Sequence, residues 1–127
     1  MLLGVVPIKE TILVVEDDAI GAMDLNGILT SLGYKVLGPV SSGSKALDKI
    51  KDTVPDLILM DITIKGDING IETAKLIKAQ MDVPVIFLTA HSDEKTVKQA
   101  EKVNPAGYII KPFDGVKLRK TIESTLS

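Results

Sequence analysis

The chain alternates between short apolar runs and longer segments in which apolar residues recur at helical spacing. The runs predict β-strands at Thr11–Glu16, Lys35–Val40, Leu57–Asp61, Val85–Thr89 and Gly107–Ile110. The first, third and fourth of these runs each contain a stretch that is continuously apolar. Uninterrupted apolar strands are typical of parallel sheets, because helices cover both faces of such a sheet.

The segments between the runs predict helices. Leu25, Ile28, Leu29 and Leu32 repeat at i, i+3, i+4 and i+7 and form one apolar stripe. Weaker stripes follow at Ile71, Ala74 and Ile77, at Val97, Ala100 and Val103, and at Leu118 and Ile122. Strand and helix therefore alternate five times. This order predicts one α/β domain over residues 9–127, with helices on both faces of a parallel sheet, after a short N-terminal extension at residues 1–8.

Single residues mark several predicted helix ends. Gly33 stands where a left-handed cap is expected after the first helix. Asp93 and Asp114 are predicted to be the N-caps of the last two helices. Pro84 is expected to keep the third helix from continuing, because the residue before a proline disfavours helix.

Composition and charge narrow the function classes. The chain has 127 residues, a formal net charge of −2 and no cysteine. Because no basic stripe is present, direct nucleic-acid binding is not expected. The lack of cysteine excludes disulfides and thiolate chemistry and is compatible with a cytoplasmic location. The apolar N-terminal run is short and lacks preceding basic residues, so we expect neither a signal peptide nor a membrane anchor.

Polar residues capable of chemistry follow four of the predicted strands. In open parallel sheets, ligands bind beyond the carboxyl ends of the strands. Taken singly, an acid there is often a cap or turn residue, a threonine is a good strand former and Lys-Pro is an ordinary loop. Together they favour a functional site at one edge of the sheet, built from Glu16, Asp17 and Asp18, then Asp61, Thr89 and Lys111.

The acids among these residues predict a cation site. If the first and third strands are neighbours, Asp17 and Asp61 come close enough to share a ligand. Clustered carboxylates repel one another unless a cation lies among them, and carboxylates with waters and a phosphate oxygen are the usual setting for Mg²⁺. Lys111 would supply a charge and Thr89 a hydroxyl donor to phosphoryl oxygens. Together, these residues are predicted to form a site for a phosphoryl group beside Mg²⁺.

Five segments in order make this chain resemble the receiver domain of two-component response regulators, over about residues 9–127. The resemblance implies a flavodoxin-like (βα)₅ fold with strand order 2-1-3-4-5, and a cis peptide bond before Pro112. The segments are Ile12-Leu-Val-Val-Glu-Asp-Asp18, Pro55-Asp-Leu-Ile-Leu-Met-Asp61, Asn69-Gly-Ile-Glu72, Pro84-Val-Ile-Phe-Leu-Thr-Ala90 and Gly107-Tyr-Ile-Ile-Lys-Pro-Phe113.

The resemblance also implies roles at the site. Asp61 matches the phosphoacceptor, and Glu16 and Asp17 match the acidic pair that holds Mg²⁺. Thr63 matches the position whose backbone carbonyl is a further metal ligand. The phosphoryl group would come from a sensor histidine kinase or a phosphotransfer protein. Such a domain is a switch that catalyses only its own phosphorylation and dephosphorylation, rather than a turnover enzyme.

A second set of implied roles concerns the output. Lys111 matches the phosphate-pairing lysine, Thr89 the switch hydroxyl and Tyr108 the aromatic residue that rotates on activation. The face formed by the fourth helix, fifth strand and fifth helix would then change shape. A downstream protein or domain would bind this face, and the same face could support a homodimer.

The loop after Asp61 departs from the commoner family pattern. Lys65 stands where proline is commoner, and the loop is one residue longer before its glycine. Asp67 in this loop is interpreted either as a surface turn residue, which we favour, or as an influence on the metal site. His91 is either a solvent-facing loop residue or, with the Thr63 side chain, a determinant of phosphate lifetime.

Other functions fit the sequence less well. A phosphatase of the haloacid dehalogenase kind or a Toprim nuclease needs an Asp-x-Asp motif, and Asp61-Ile-Thr63 lacks the second acid. A flavodoxin-like FMN carrier needs a Ser/Thr-Gly phosphate loop after the first strand, where this chain has acids. The remaining alternative is a receiver-like module that binds proteins without being phosphorylated.

Overall fold

Five strands and five helices alternate in the computed structural model, which describes residues 10–90 and 94–127. The strands lie within one residue of the predicted runs at each end. They are β1 (Thr11–Val15), β2 (Lys35–Val40), β3 (Leu57–Asp61), β4 (Val85–Ala90) and β5 (Gly107–Lys111). The helices are α1 (Ala19–Ser31), α2 (Gly43–Asp52), α3 (Gly70–Lys78), α4 (Glu94–Glu101) and α5 (Gly115–Leu126).

All neighbouring strands are parallel, in the order β2-β1-β3-β4-β5. This confirms the flavodoxin-like order that the resemblance implied. Strand order reverses between β1 and β3, and the register places Val15 beside Met60, so the residues that follow them emerge side by side. A crevice outside the carboxyl ends of strands at such a reversal is the usual ligand position in open α/β sheets.

Alternate residues of the buried strands contribute to two separate cores, because successive side chains in a strand point to opposite faces. On one face, Leu13, Ile58 and Phe87 pack with apolar residues of α2, α3 and α4. On the other, Val14 and Leu59 pack with apolar residues of α1 and α5. Each such fully buried side chain stabilises the fold by about 1.5–3 kcal/mol. The two layers thus hold β1, β3 and β4 rigidly beneath the crevice.

Capping residues fix where helices begin and end. Gly33 has φ +95° after α1, and Asp114 caps α5 by accepting the Lys117 N–H at 2.7 Å, as predicted. Asn69 caps α3 and exchanges hydrogen bonds with Glu72, an arrangement that satisfies two otherwise free backbone donors. The α3 helix ends at Lys78, before the Asp82–Pro84 segment.

Three predictions fall on residues outside 10–90 and 94–127. They are the N-terminal extension at 1–8, the Asp93 cap and the environment of His91. Among the helices that the structure describes, none is long and apolar enough to cross a membrane.

Candidate functional site

The carboxyl ends of β1 and β3 bring three carboxylates together. One oxygen from each of Glu16, Asp17 and Asp61 lies within 4.8 Å of the other two. Glu16 and Asp61 are each only 4% exposed, whereas Asp17 is half-buried. At 4.8 Å, two unit negative charges repel by about 3.5 kcal/mol at an effective dielectric constant of 20. The cluster therefore needs positive charge nearby.

Lys111, the last residue of β5, supplies part of that charge. Its Nζ donates to Glu16 Oε1 at 2.8 Å and to Asp61 Oδ2 at 3.0 Å. The cis peptide bond to Pro112, expected from the resemblance, follows directly. The lysine reaches across β4 from the edge of the sheet, and only the strand order places it beside residues that are 95 and 50 positions away in sequence.

Proton affinities in the cluster reflect burial and hydrogen bonding. Burial and the hydrogen bond with Asp61 raise the pKa of Glu16 to about 7, although Lys111 opposes the rise. Burial also acts to raise the pKa of Asp61, but hydrogen bonds from Glu16, the Thr63 N–H and Lys111 hold that pKa below its usual value. Burial favours neutral Lys111, yet bonds to Glu16 and Asp61 raise its pKa. The carboxylate pair thus retains a proton near neutral pH, and Lys111 stays charged.

The loop between β3 and α3 closes the side of the site. The Thr63 N–H and hydroxyl donate to Asp61 Oδ1 at 3.0 and 3.1 Å, and the Lys65 N–H donates to Asp17 Oδ2 at 3.2 Å. Gly70 anchors the end of the loop, because a Cβ there would collide with the Asp61 carbonyl oxygen and come within 2.8 Å of Ile62 Cα. This packing holds the start of α3 against the backbone of Asp61.

The donor set fits a hard divalent cation. Three carboxylates converge on an open cleft of about 470 Å³, and oxygen donors of this kind are what Mg²⁺ binds. Lys111 neutralises only part of the negative charge of the three carboxylates, so the cluster still attracts a further cation. Glu16, Asp17 and Asp61 could therefore hold a divalent metal ion.

Thr89 follows Leu88, the β4 residue that pairs with Asp61, and Tyr108 lies on β5 opposite Phe87. The Thr89 hydroxyl donates to the Ala90 carbonyl at 3.2 Å rather than to an acid of the cluster. The Tyr108 ring centroid is 6.2 Å from that of Phe87, and the Tyr108 hydroxyl is buried without a hydrogen-bond partner among the described residues. Burial and the charge of Glu101 raise the pKa of this hydroxyl. Within residues 10–90 and 94–127, neither hydroxyl therefore has a strong partner that would oppose a change of conformation.

Two other candidate acids, Asp18 and Asp67, lie where a structural role explains them. Asp18 is the N-cap of α1 and accepts the Gly21 N–H at 3.3 Å, which is the ordinary alternative considered for it. Asp67 is exposed and is absent from the carboxylate cluster found among the described residues, in agreement with a turn residue. Sequence reasoning missed the Lys65 contact, because a backbone donor carries no side-chain signal.

Comparison with known proteins agrees with this geometry. Residues 12–123 match the family described as the response regulator receiver domain. The chain is 38% identical over 117 residues to the transcriptional regulatory protein ZraR of Escherichia coli, covering 91% of this chain and 26% of ZraR. It is 35% identical over 103 residues to the chemotaxis protein CheY of Thermotoga maritima, covering 80% of this chain and 85% of CheY.

A solved structure extends the likeness to the fold. The signal receiver domain of a modulated diguanylate cyclase from Desulfovibrio desulfuricans superimposes with a TM-score of 0.87 at 38% identity, covering 92% of this chain and 93% of that one. The chain spans only about a quarter of the length of its ZraR relatives. By its sequence match, strand order and acidic crevice, the chain belongs to the response regulator receiver domains of two-component systems.

Proposed function

We propose that Asp61 accepts a phosphoryl group from the phosphohistidine of a sensor histidine kinase or phosphotransfer protein. The observation that carries this proposal is the position of Asp61 at the centre of the cluster. Its Oδ2 accepts from Lys111, its Oδ1 accepts from Thr63, and the carboxylates of Glu16 and Asp17 lie alongside. A carboxylate with a lowered pKa is ionised at neutral pH, as a nucleophile must be.

Positioning and charge neutralisation supply most of the catalysis in phosphoryl transfer. An oxygen of Asp61 would form the new bond to phosphorus as the nitrogen–phosphorus bond of the donor breaks. Lys111 would then move from the carboxylates toward the phosphoryl oxygens, and the Thr89 hydroxyl would exchange the Ala90 carbonyl for the same group. Both residues would hold the product acyl phosphate.

Glu16, Asp17, Asp61 and the backbone carbonyl of Thr63 are the proposed ligands of Mg²⁺. When bound, Mg²⁺ would supply the positive charge that lets carboxylates and phosphoryl oxygens approach each other. The close spacing of the three carboxylates supports this assignment. The domain would catalyse only its own phosphorylation and dephosphorylation, with the Thr63 side chain and His91 as candidates for setting the phosphate lifetime.

The output is proposed to be a two-state change at the α4-β5-α5 face. If Thr89 turns toward the phosphoryl group, it leaves space that Tyr108 can fill, and the buried Tyr108 hydroxyl can gain a partner. Ile110 on β5 and Val116 on α5 are exposed apolar side chains that a partner or a second copy could cover on this face. A difference of a few kcal/mol in contacts is enough to shift such an equilibrium. Thr89→Ala is expected to be phosphorylated at Asp61 but to lose the change.

Incubation with acetyl phosphate and Mg²⁺ tests the acceptor assignment. Intact-mass spectrometry should show the gain of one phosphoryl group in the parent protein and none in Asp61→Asn, which preserves shape and removes the nucleophile. Chelation of Mg²⁺ should abolish the gain. A parent protein that folds and binds Mg²⁺ yet never gains mass would favour the alternative, a receiver-like module that binds proteins without phosphorylation.

A further inference from the structure

The loop between β3 and α3 donates two backbone N–H groups to two different carboxylates of the cluster. The Thr63 N–H binds Asp61 Oδ1, as described above, and the Lys65 N–H binds Asp17 Oδ2 at 3.2 Å. The second contact joins residues 48 positions apart and ties the loop after β3 to the end of β1. Two amides two residues apart thus fix the separation of two proposed metal ligands.

We propose that Lys65 is a positioning residue for Mg²⁺, acting through its backbone N–H on the metal ligand Asp17. The proposal rests on the proposed function in one respect, the role of Asp17 as a ligand. The hydrogen bond restrains rotation of the Asp17 carboxylate and leaves Oδ1 and a lone pair of Oδ2 available to the cation. The Lys65 ammonium has no part in this effect.

The orientation of the Asp17 carboxylate depends on a backbone amide more than the orientations of Glu16 and Asp61 do. Lys111 pairs with both Glu16 and Asp61, whereas no ion pair found within residues 10–90 and 94–127 includes Asp17. Asp17 is also less buried than the other two acids, so packing restrains it less. Within the part of the chain that the structure describes, the Lys65 N–H is therefore the one hydrogen-bond donor to the Asp17 carboxylate.

Position 65 can lose this donor in only one way by substitution. Every residue except proline carries a backbone N–H. The adjacent Gly66 has φ +124°, a conformation that favours glycine, and it supports the shape of the loop at this point.

The first test compares Lys65→Pro with Lys65→Ala in the otherwise unchanged full chain. Alanine keeps the N–H and removes the ammonium, so it controls for the charge. Isothermal titration calorimetry with Mg²⁺ alone should give a dissociation constant about tenfold or more higher for Lys65→Pro, the range expected when an outer-shell hydrogen bond to a ligand is lost. Lys65→Ala should stay within about threefold of the parent protein. Equal affinities for the two variants would overturn the proposal.

A second measurement does not rely on proline being tolerated by the loop. The Lys65 amide should exchange with solvent more slowly in the metal-free parent protein than in Asp17→Ala, as followed by nuclear magnetic resonance of ¹⁵N-labelled protein. If the Lys65 amide exchanges equally fast in both, the hydrogen bond has no role in solution and the proposal fails.

The outcome is separable from that of the phosphorylation assay. A parent protein that gains no phosphoryl group but shows the tenfold loss of Mg²⁺ affinity in Lys65→Pro would refute the acceptor role of Asp61 and retain the positioning role of Lys65. If the parent protein is phosphorylated and Lys65→Pro binds Mg²⁺ as tightly as Lys65→Ala does, the acceptor role of Asp61 is retained. The positioning role of Lys65 is then refuted.

Discussion

Protonation of Glu16 should compete directly with Mg²⁺ binding. Burial and the hydrogen bond with Asp61 raise the pKa of Glu16 to about 7 in the metal-free protein. A carboxyl group must lose its proton before it binds a metal ion, so metal affinity falls when pH drops below that pKa. The raised pKa therefore predicts that Mg²⁺ affinity changes steeply between pH 6 and pH 8, where ordinary glutamates are fully ionised.

The size of the effect follows from the pKa. With a pKa of about 7, roughly a tenth of Glu16 is ionised at pH 6 and roughly nine-tenths at pH 8. The apparent dissociation constant for Mg²⁺ should therefore be about tenfold higher at pH 6 than at pH 8. At pH 7, each Mg²⁺ bound should displace about half a proton.

Calorimetric titration with Mg²⁺ checks both numbers, because repeating it in buffers of different ionisation enthalpy gives the number of protons released. Glu16→Gln should bind Mg²⁺ more weakly and lose the dependence on pH across this range. His91 is the chain's one histidine, and histidine is the residue type whose ordinary pKa lies closest to this range, so His91→Ala is the matched control and should keep the dependence. A Glu16→Gln variant with the slope of the parent protein would refute the reasoning.

Further predictions concern stability. Lys111→Met should lower the free energy of unfolding of the metal-free protein at pH 8 by about 1–2 kcal/mol, less than for a fully buried pair because a third of the lysine side chain is exposed. Urea unfolding should show a smaller loss at pH 5.5, where Glu16 is protonated, and equal losses at both pH values would contradict this. Gly70→Ala should cost about 1–3 kcal/mol, since its Cβ would press on the backbone of Asp61 and Ile62. Gly27→Ala, which introduces no contact within 4 Å on α1, should instead raise stability by about 1 kcal/mol, and a loss of stability there would show that the helix is not as described.

Local pattern accounts for why the elements were predictable. The apolar runs of β1, β3 and β4 and the stripe on α1 are properties of neighbouring residues, so periodicity alone places them to within about a residue. Gly33 and Asp114 were predictable for the same reason, because a cap depends on only a few adjacent backbone groups.

Part of the site was also predictable from the order of the elements. Strands of a parallel sheet end at the same edge, so polar residues that follow the strands must gather there. This placed Glu16, Asp17 and Asp61 together, and the motifs of the receiver family added the strand order that brings Lys111 across from β5.

The sequence by itself determined the elements, the family and which acids share an edge. Tertiary structure alone decided which of them keeps a proton and which depends on the loop. Asp18 and Asp17 are adjacent acids, yet one caps α1 and the other faces the cluster. The raised pKa of Glu16 comes from burial beside Asp61, and the Lys65 contact comes from a backbone amide that any residue but proline would carry. The raised pKa of Glu16 and the Lys65 contact arise from distances between remote segments, which no local pattern encodes.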